Sequence, residues 1–293
     1  MPLKKRSHFN YRLRKYFLIP LKIFRIAIID TVRQDGIEHA GYLAFLMLLS
    51  LFPFLIFLIA IIGLFGQSEA GVQIVQTALA SIPQGMVEAL APRINEIVSG
   101  PEQSLLTIAI IGVIWTASSS VEGCRTILNR AYRINFPPSY IWRRMFSIVE
   151  FFVITFAIVT AIMVFVIAPT ILKQFAANFV KIDYDFFYLR QAAIFSILTC
   201  AVSLLYYALP NAKQKITQTI PGSILAVFLW IALQHLFSFY LNNFHQVNFV
   251  YGSLAGIIIS MMFFYLISLV FILGAEFNYH FHRVYQVFLK NRR

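Results

Sequence analysis

Six stretches of this chain, near residues 42–65, 104–121, 151–172, 191–209, 218–241 and 252–275, contain no Asp, Glu, Lys or Arg and consist mainly of apolar side chains. About 20 such residues make a helix long enough to cross the roughly 30 Å hydrocarbon core of a bilayer. In hydrocarbon each backbone N–H and C=O must be satisfied without water, which favours helices for separate spans. A soluble core would use shorter helices with polar faces, and these runs lack such faces. Composition agrees: 59% of the 293 residues are hydrophobic and 12% are charged, against about 25% charged in an average soluble domain. The sequence predicts an all-α polytopic membrane protein with six transmembrane helices.

Charge then orients the spans. Twenty of the 24 Lys and Arg residues fall in the N-terminal segment, the second and fourth connections and the tail, and the remaining four (Arg93, Lys173, Lys181, Arg190) fall between. Excess cations stay on the cytoplasmic side, so both termini are expected there. The expected organisation is a basic cytoplasmic segment over 1–41, a six-helix transmembrane domain over 42–281, and a basic cytoplasmic tail over 282–293. The first 41 residues lack the apolar core and small-residue cleavage site of a signal peptide.

The formal charge of +12 reads as an insertion signal and a contact with anionic lipid, worth about 1 kcal/mol per surface cation. Nucleic acid is not an expected partner, because no soluble module carries interleaved basic and aromatic residues. Two interfacial amphipathic helices are expected. One is Leu21 to Ala40. The other lies in the outer segment 67–103, punctuated by Pro83, Pro92 and Pro101, where Val87, Leu90, Ile94 and Ile97 share a face opposite Glu88, Asn95 and Glu96. Packing on the mouth of the bundle is an equal reading of the outer segment.

Several residues stand out against this apolar background. Pro53 in the first run removes a backbone donor and clashes with the carbonyl of Leu49. Ser50 is placed to supply a replacement bond, so Ser50 and Pro53 mark a kink or a hinge. In the second run Trp115, Ser118, Glu122, Arg125, Asn129 and Tyr132 recur at steps of three and four and form one helix stripe. Beside it Gly112, Thr116 and Ser120 make a small-residue row suited to close packing. Glu122 and Arg125 are spaced to pair, either as a structural ion pair or as part of a polar pathway. At the end of the sixth run Glu276 is followed by His280 and Arg283 on the same face, and an ionisable residue at such depth is a functional candidate. His235 reads as a bond to a neighbouring helix.

The histidines show no spacing for metal ligation, and Cys124 and Cys200 read as small apolar residues, so neither metal nor cofactor is expected. The phosphate loop G-x-x-x-x-G-K-[ST] and the G-x-S-x-G elbow are both absent from the sequence. That excludes ATP-driven transport by a known loop within this chain, and a recognisable hydrolase.

Three pieces together, "HAGYLAFLMLLSLFPFL", "WTASSSVEGCRTILNRAY" and "YGSLAGIIIS" with "LGAEFN", resemble the YihY/virulence factor BrkB family of bacterial inner-membrane proteins. The likeness runs over roughly residues 30 to 283. It implies a six-helix protein of the bacterial inner membrane whose members were once labelled ribonuclease BN, a misassignment, and are described as transporters or envelope factors.

Two functions are therefore expected, with a third more distant. The first is a transporter or passive pathway without ATPase activity, for an anionic amphiphile such as a lipid or envelope precursor. Its candidate pathway residues are Trp115, Ser118, Glu122, Arg125, Asn129, Glu276 and His280. The second is a scaffold that moves nothing and joins envelope proteins or copies of itself. The third is a membrane-bound ribonuclease, which would need a metal-carboxylate cluster reachable by RNA. Membrane lipids are expected partners throughout.

Overall fold

A computed structural model describes residues 20–65, 103–135, 138–176, 186–243 and 255–290. Helix α1 covers 20–33, α2 Gly36–Phe65, α3 Gln103–Ala131, α4 Tyr140–Ala176, α5 Phe186–Ala208, α6 Ile220–Asn243 and α7 Ala255–Lys290. A single 3-10 turn, Ile216–Gln218, leads into α6. No strand occurs among the described residues. Each of the six apolar runs lies largely within one of α2 to α7. Among the described residues three windows, Gln191–Ala208, Ile220–Tyr240 and Gly256–Val284, are long and apolar enough to cross a membrane. The outer segment with Val87, Leu90, Ile94 and Ile97 lies outside the described residues.

The chain packs as two units. One comprises Met1–Phe45, Gly123–Pro137 and Arg190–Arg293, and the other Leu46–Glu122 and Pro138–Leu189. Helices α2 and α3 each pass from one unit into the other.

In the first unit α6 and α7 form the closest pair. A Cβ at Gly222 would stand 2.1 Å from the Gly274 carbonyl oxygen, and one at Gly274 would stand 2.4 Å from the Tyr206 hydroxyl. Absent side chains are what let two backbones come this near. Polar bonds fix the register: the Gly222 N–H donates to Asn278 Oδ1 at 2.6 Å, and the Trp230 indole donates to the Ile267 carbonyl at 3.0 Å. The Tyr206 hydroxyl donates to the Phe271 carbonyl at 2.7 Å while its ring stacks on Phe271. Tyr and Trp serve here because each combines a large apolar body with a donor that finds a carbonyl.

The expected surface helix from Leu21 to Ala40 is interrupted. Helix α1 stops at residue 33, Asp35 adopts φ 55°, and Gly36 already opens α2. Gly36 is required by space, since a Cβ there would lie 2.5 Å from the Thr31 carbonyl oxygen. The inner face of α1, Ile23 and Ala27, joins Phe277 in a buried cluster flanked by Leu225 and Phe281. Burying a Phe or Ile side chain is worth about 1.5–3 kcal/mol. The outer face keeps Leu21, Ile28 and Val32 exposed beside Lys22, Arg25 and Arg33.

Helix α2 runs unbroken through Pro53. The Ser50 hydroxyl donates to the Met47 carbonyl at 3.2 Å, one turn back, rather than to the carbonyl of Leu49. The small-residue row on α3 marks no close approach at Gly112, where a Cβ would meet nothing within 4 Å. The Thr116 hydroxyl is instead spent on the Gly112 carbonyl of its own helix, at 2.9 Å. Close packing belongs to Gly222 and Gly274, which the sequence reading did not single out.

Candidate functional site

The first unit carries a charged cluster built from two helix ends. At the end of α3 the Ile134 N–H donates to the Asn129 carbonyl at 2.8 Å and the Arg133 N–H to the Arg130 carbonyl at 2.9 Å. This is a Schellman closure, whose left-handed position usually holds glycine. Here Arg133 occupies it with φ 60°, a conformation that costs a residue bearing a Cβ about 1–2 kcal/mol. The end of α1 places Asp35 in the same left-handed region. The two ends then exchange charges: Arg130 pairs with Asp35, and Arg133 reaches Asp30 at 3.4 Å. His39 supports the first pair through one ring tautomer. Its Nδ1–H donates to the Asp35 carbonyl at 2.6 Å, and its Nε2 accepts from Arg130 at 3.1 Å.

Glu276 lies at the centre of the cluster. It sits within the 29-residue apolar window of α7, and its side chain is 1% exposed. Arg133 bridges it in a bidentate fork, with Nη1 to Oε1 at 2.8 Å and Nη2 to Oε2 at 3.0 Å. His280, one turn on, lies 3.9 Å from Glu276 and 2.9 Å from Asp30. The Arg133 guanidinium also stands 4.8 Å over the Tyr279 ring. The planar fork matches a carboxylate in a way that an ammonium does not. Burial acts to lower the Arg133 pKa, while its bonds to Glu276 and the charges of Glu276 and Asp30 raise it, with a net upward shift.

Ligand atoms of Asp30, Glu276 and His280 all lie within 4.8 Å of one another, close enough to hold a metal ion. Arg133, already bonded to both carboxylates, supplies the cation there. A metal would have to displace it.

The stripe on α3 is turned into protein. Ser118, Glu122, Arg125 and Asn129 are buried, whereas Trp115 is 53% exposed and Tyr132 is half-buried. Arg125 donates from Nη1 to the Leu209 carbonyl at 2.9 Å. Asn129 clasps Asn211 from both sides of its amide: Oδ1 accepts the Asn211 N–H at 2.7 Å, and Nδ2 donates to Asn211 Oδ1 at 3.1 Å. Both residues thereby hold the turn that follows α5. Burial raises the Tyr132 phenol well above its ordinary value, against the lowering effect of bonds with Asn278 and Gln214.

The second unit holds the other half of the stripe. The Ser147 hydroxyl donates to Glu122 Oε2 at 2.8 Å, and Arg143 stands 3.6 Å from the same carboxylate. Arg144 donates to the Trp115 carbonyl and to Ser119 Oγ, and its guanidinium lies 4.1 Å over the Trp115 ring. His235, expected to bond a neighbouring helix, is exposed on α6 without a hydrogen-bond partner among the described residues. Cys124 and Cys200 are free thiols.

The sequence reading placed Glu276 and His280 together but offered Arg283 as the cation. Asp30 and Arg133, which complete the cluster, were missed. They stand 250 and 143 residues from the groups they bond, and no local spacing joins them.

Long apolar helices and a carboxylate satisfied inside one of them define a helical membrane protein. Comparison with known proteins narrows the class. The virulence factor BrkB family model matches residues 28–292, and the chain belongs to that family. It is 31% identical over 256 residues to YfkH of Bacillus subtilis (strain 168), which is named as ribonuclease-like, covering 85% of this chain and 91% of that protein. It is 34% identical over 93 residues to a UPF0761 membrane protein of Chlorobium phaeobacteroides (strain BS1), covering 32% of this chain and 22% of that one. A UPF0761 membrane protein of Tolumonas auensis is 37% identical over 77 residues, 26% of each chain. No solved structure matches the chain.

Proposed function

We propose that this protein is a transporter or passive translocation pathway of the bacterial inner membrane, working without ATP hydrolysis. In this reading α2 to α7 all span the bilayer and both termini are cytoplasmic. The observation that carries it is Glu276, buried within the apolar α7 and held by Arg133, with Asp30 and His280 alongside. Charged groups are expensive in hydrocarbon and mark ion, proton or substrate routes when they occur there. Proton binding or release at Glu276 and His280 would change the net charge of the cluster, and opening the Arg133 fork would free a guanidinium for an anionic cargo. An anionic amphiphile such as a lipid or an envelope precursor is the favoured cargo class, in keeping with the basic cytoplasmic side.

The test is transbilayer movement of labelled anionic phospholipid in liposomes holding the purified protein, with Glu276→Gln and Glu122→Gln alongside. Movement that falls in folded Glu276→Gln protein is the expected result. No movement above protein-free liposomes would overturn the lipid reading.

A specific observation favours a second reading, a scaffold joining envelope proteins or copies of itself. The stripe residues Arg125 and Asn129 bond protein atoms at Leu209 and Asn211 rather than lining open space. Cysteine labelling at 115, 118, 122, 125 and 129 separates the readings, since protection at every position favours packing. The ribonuclease-like name of YfkH is not carried over, because Arg133 occupies the carboxylates that a catalytic metal would need.

A further inference from the structure

The turn between α5 and α6 and the end of α7 enclose a polar cleft with two lobes. The larger lobe, about 610 Å³, is lined by Lys213 and Lys215, and the smaller, about 320 Å³, by Tyr132, Asn278 and Arg283. Gln214, Gln218 and His282 line both lobes. Among the described residues neither lobe has an Asp or Glu in its wall. Lys213, Lys215 and Arg283 are exposed, and none of the three forms an ion pair among the described residues. Elsewhere in the same unit arginines do find acids: Arg130 has Asp35, and Arg133 has Glu276.

The wall is also held in place. Gln214 donates to the Tyr206 carbonyl at 2.6 Å, and Asn129 pins Asn211 just before it. Gln218 accepts the Lys215 N–H at 3.1 Å, which leaves its own carboxamide N–H groups as donors for another group. Three positive charges, an imidazole and amide donors surround a space without a counter-charge among the described residues.

We propose that this cleft binds a phosphate monoester, with Lys213, Lys215 and Arg283 neutralising the phosphate and Gln218 donating to its oxygens. A monoester carries about −1.5 to −2 charge at neutral pH and three acceptor oxygens. That charge suits three cations better than a phosphodiester's single charge does. The ligand has two possible sources, the headgroup of a membrane lipid and a soluble phosphate ester. The site deepens the transport reading and rests on it in one respect, that the cleft faces the cytoplasmic leaflet.

The experiment uses the full chain in phosphatidylcholine nanodiscs at physiological ionic strength, where screening removes most non-specific attraction to surface lysines. Glycerol 3-phosphate is titrated by calorimetry. In a second arm, nanodiscs carrying phosphatidic acid or phosphatidylglycerol are compared by native mass spectrometry for lipid retained on the protein. Binding of glycerol 3-phosphate assigns a soluble source, and selective retention of phosphatidic acid assigns a lipid source. In either case Lys213→Gln with Lys215→Gln and Arg283→Gln should weaken binding about tenfold or more. These exposed side chains form no ion pair among the described residues, so the unfolding midpoint should be unchanged. Absence of binding in both arms overturns the site. So does binding unaffected by the substitutions, or equal retention of phosphatidylglycerol. Binding is read without flux, so the site can fail while transport stands, and the reverse.

Discussion

Arg133 offers a sharp test because its backbone and its side chain act in opposite directions. Replacing it with Met leaves Glu276 buried without its bidentate partner, with His280 3.9 Å away. Removing one member of a buried ion pair costs about 3–5 kcal/mol. Since Arg133 is 24% exposed, the lower end applies, about 3 kcal/mol. Arg133→Gly loses the same fork but relieves the left-handed strain at φ 60°, which returns about 1 kcal/mol, for a net loss of about 2 kcal/mol. Adding Glu276→Gln to Arg133→Met removes the orphaned charge and should recover about 2 kcal/mol. Equilibrium unfolding in mixed micelles, monitored by far-ultraviolet circular dichroism, gives the four free energies of the cycle. The expected order of stability is wild type, Arg133→Gly, then Arg133→Met, with the double variant above Arg133→Met. Additive losses from Arg133→Met and Glu276→Gln would refute the ion-pair account, and an Arg133→Gly no better than Arg133→Met would refute the strain account.

Gly222→Ala forces a Cβ to within 2.1 Å of the Gly274 carbonyl and also disturbs the bond to Asn278. A loss of about 3 kcal/mol or more in unfolding free energy is expected, at the upper end for overpacking. Asn129→Ala strands the Asn211 amide and should cost about 1–3 kcal/mol, with faster hydrogen exchange over residues 209–215 as the local readout. Trp115→Leu removes the cation–π partner of Arg144, and a modest loss of about 0.5–1 kcal/mol is expected at this half-exposed site. Tyr132 is held protonated by burial, so its folded pKa lies above its unfolded value. Its contribution is therefore complete below the ordinary tyrosine pKa near 10 and is lost as pH rises beyond it, so an alkaline titration of stability should fall less steeply in Tyr132→Phe.

The helices were legible because their cause is local. The charge-free run at 218–241 lies over α6, Ile220–Asn243, and the run at 191–209 over α5, Phe186–Ala208. Hydrophobic length needs no knowledge of neighbours. Glu276 and His280 were legible for the same reason, being one turn apart on one helix. Their true cation was not. Periodicity offers Arg283, further along the same helix, whereas Arg133 arrives from the end of α3 by way of a left-handed corner normally given to glycine. An arginine in that position carries no sequence signal. Equally, the row Gly112, Thr116, Ser120 has the spacing of a packing motif, yet among the described residues nothing comes close at Gly112. The close contact of Gly222 with Gly274 joins two lone glycines on different helices, and no pattern in either helix announces it.

The union of α6 and α7 has a kinematic consequence. A backbone contact too tight for a methyl group, an amide keyed to Asn278 and an indole keyed to Ile267 allow neither sliding nor rolling between the two helices. Displacement by even one residue would drive side chains into carbonyls. The pair therefore behaves as a single strut, and under the proposed transport reading any stroke that carries cargo must be made at other joints while this strut stays stiff. A cross-link placed between α6 and α7 should leave the proposed transport intact, which makes the pair the fixed reference against which movement elsewhere in the protein can be measured.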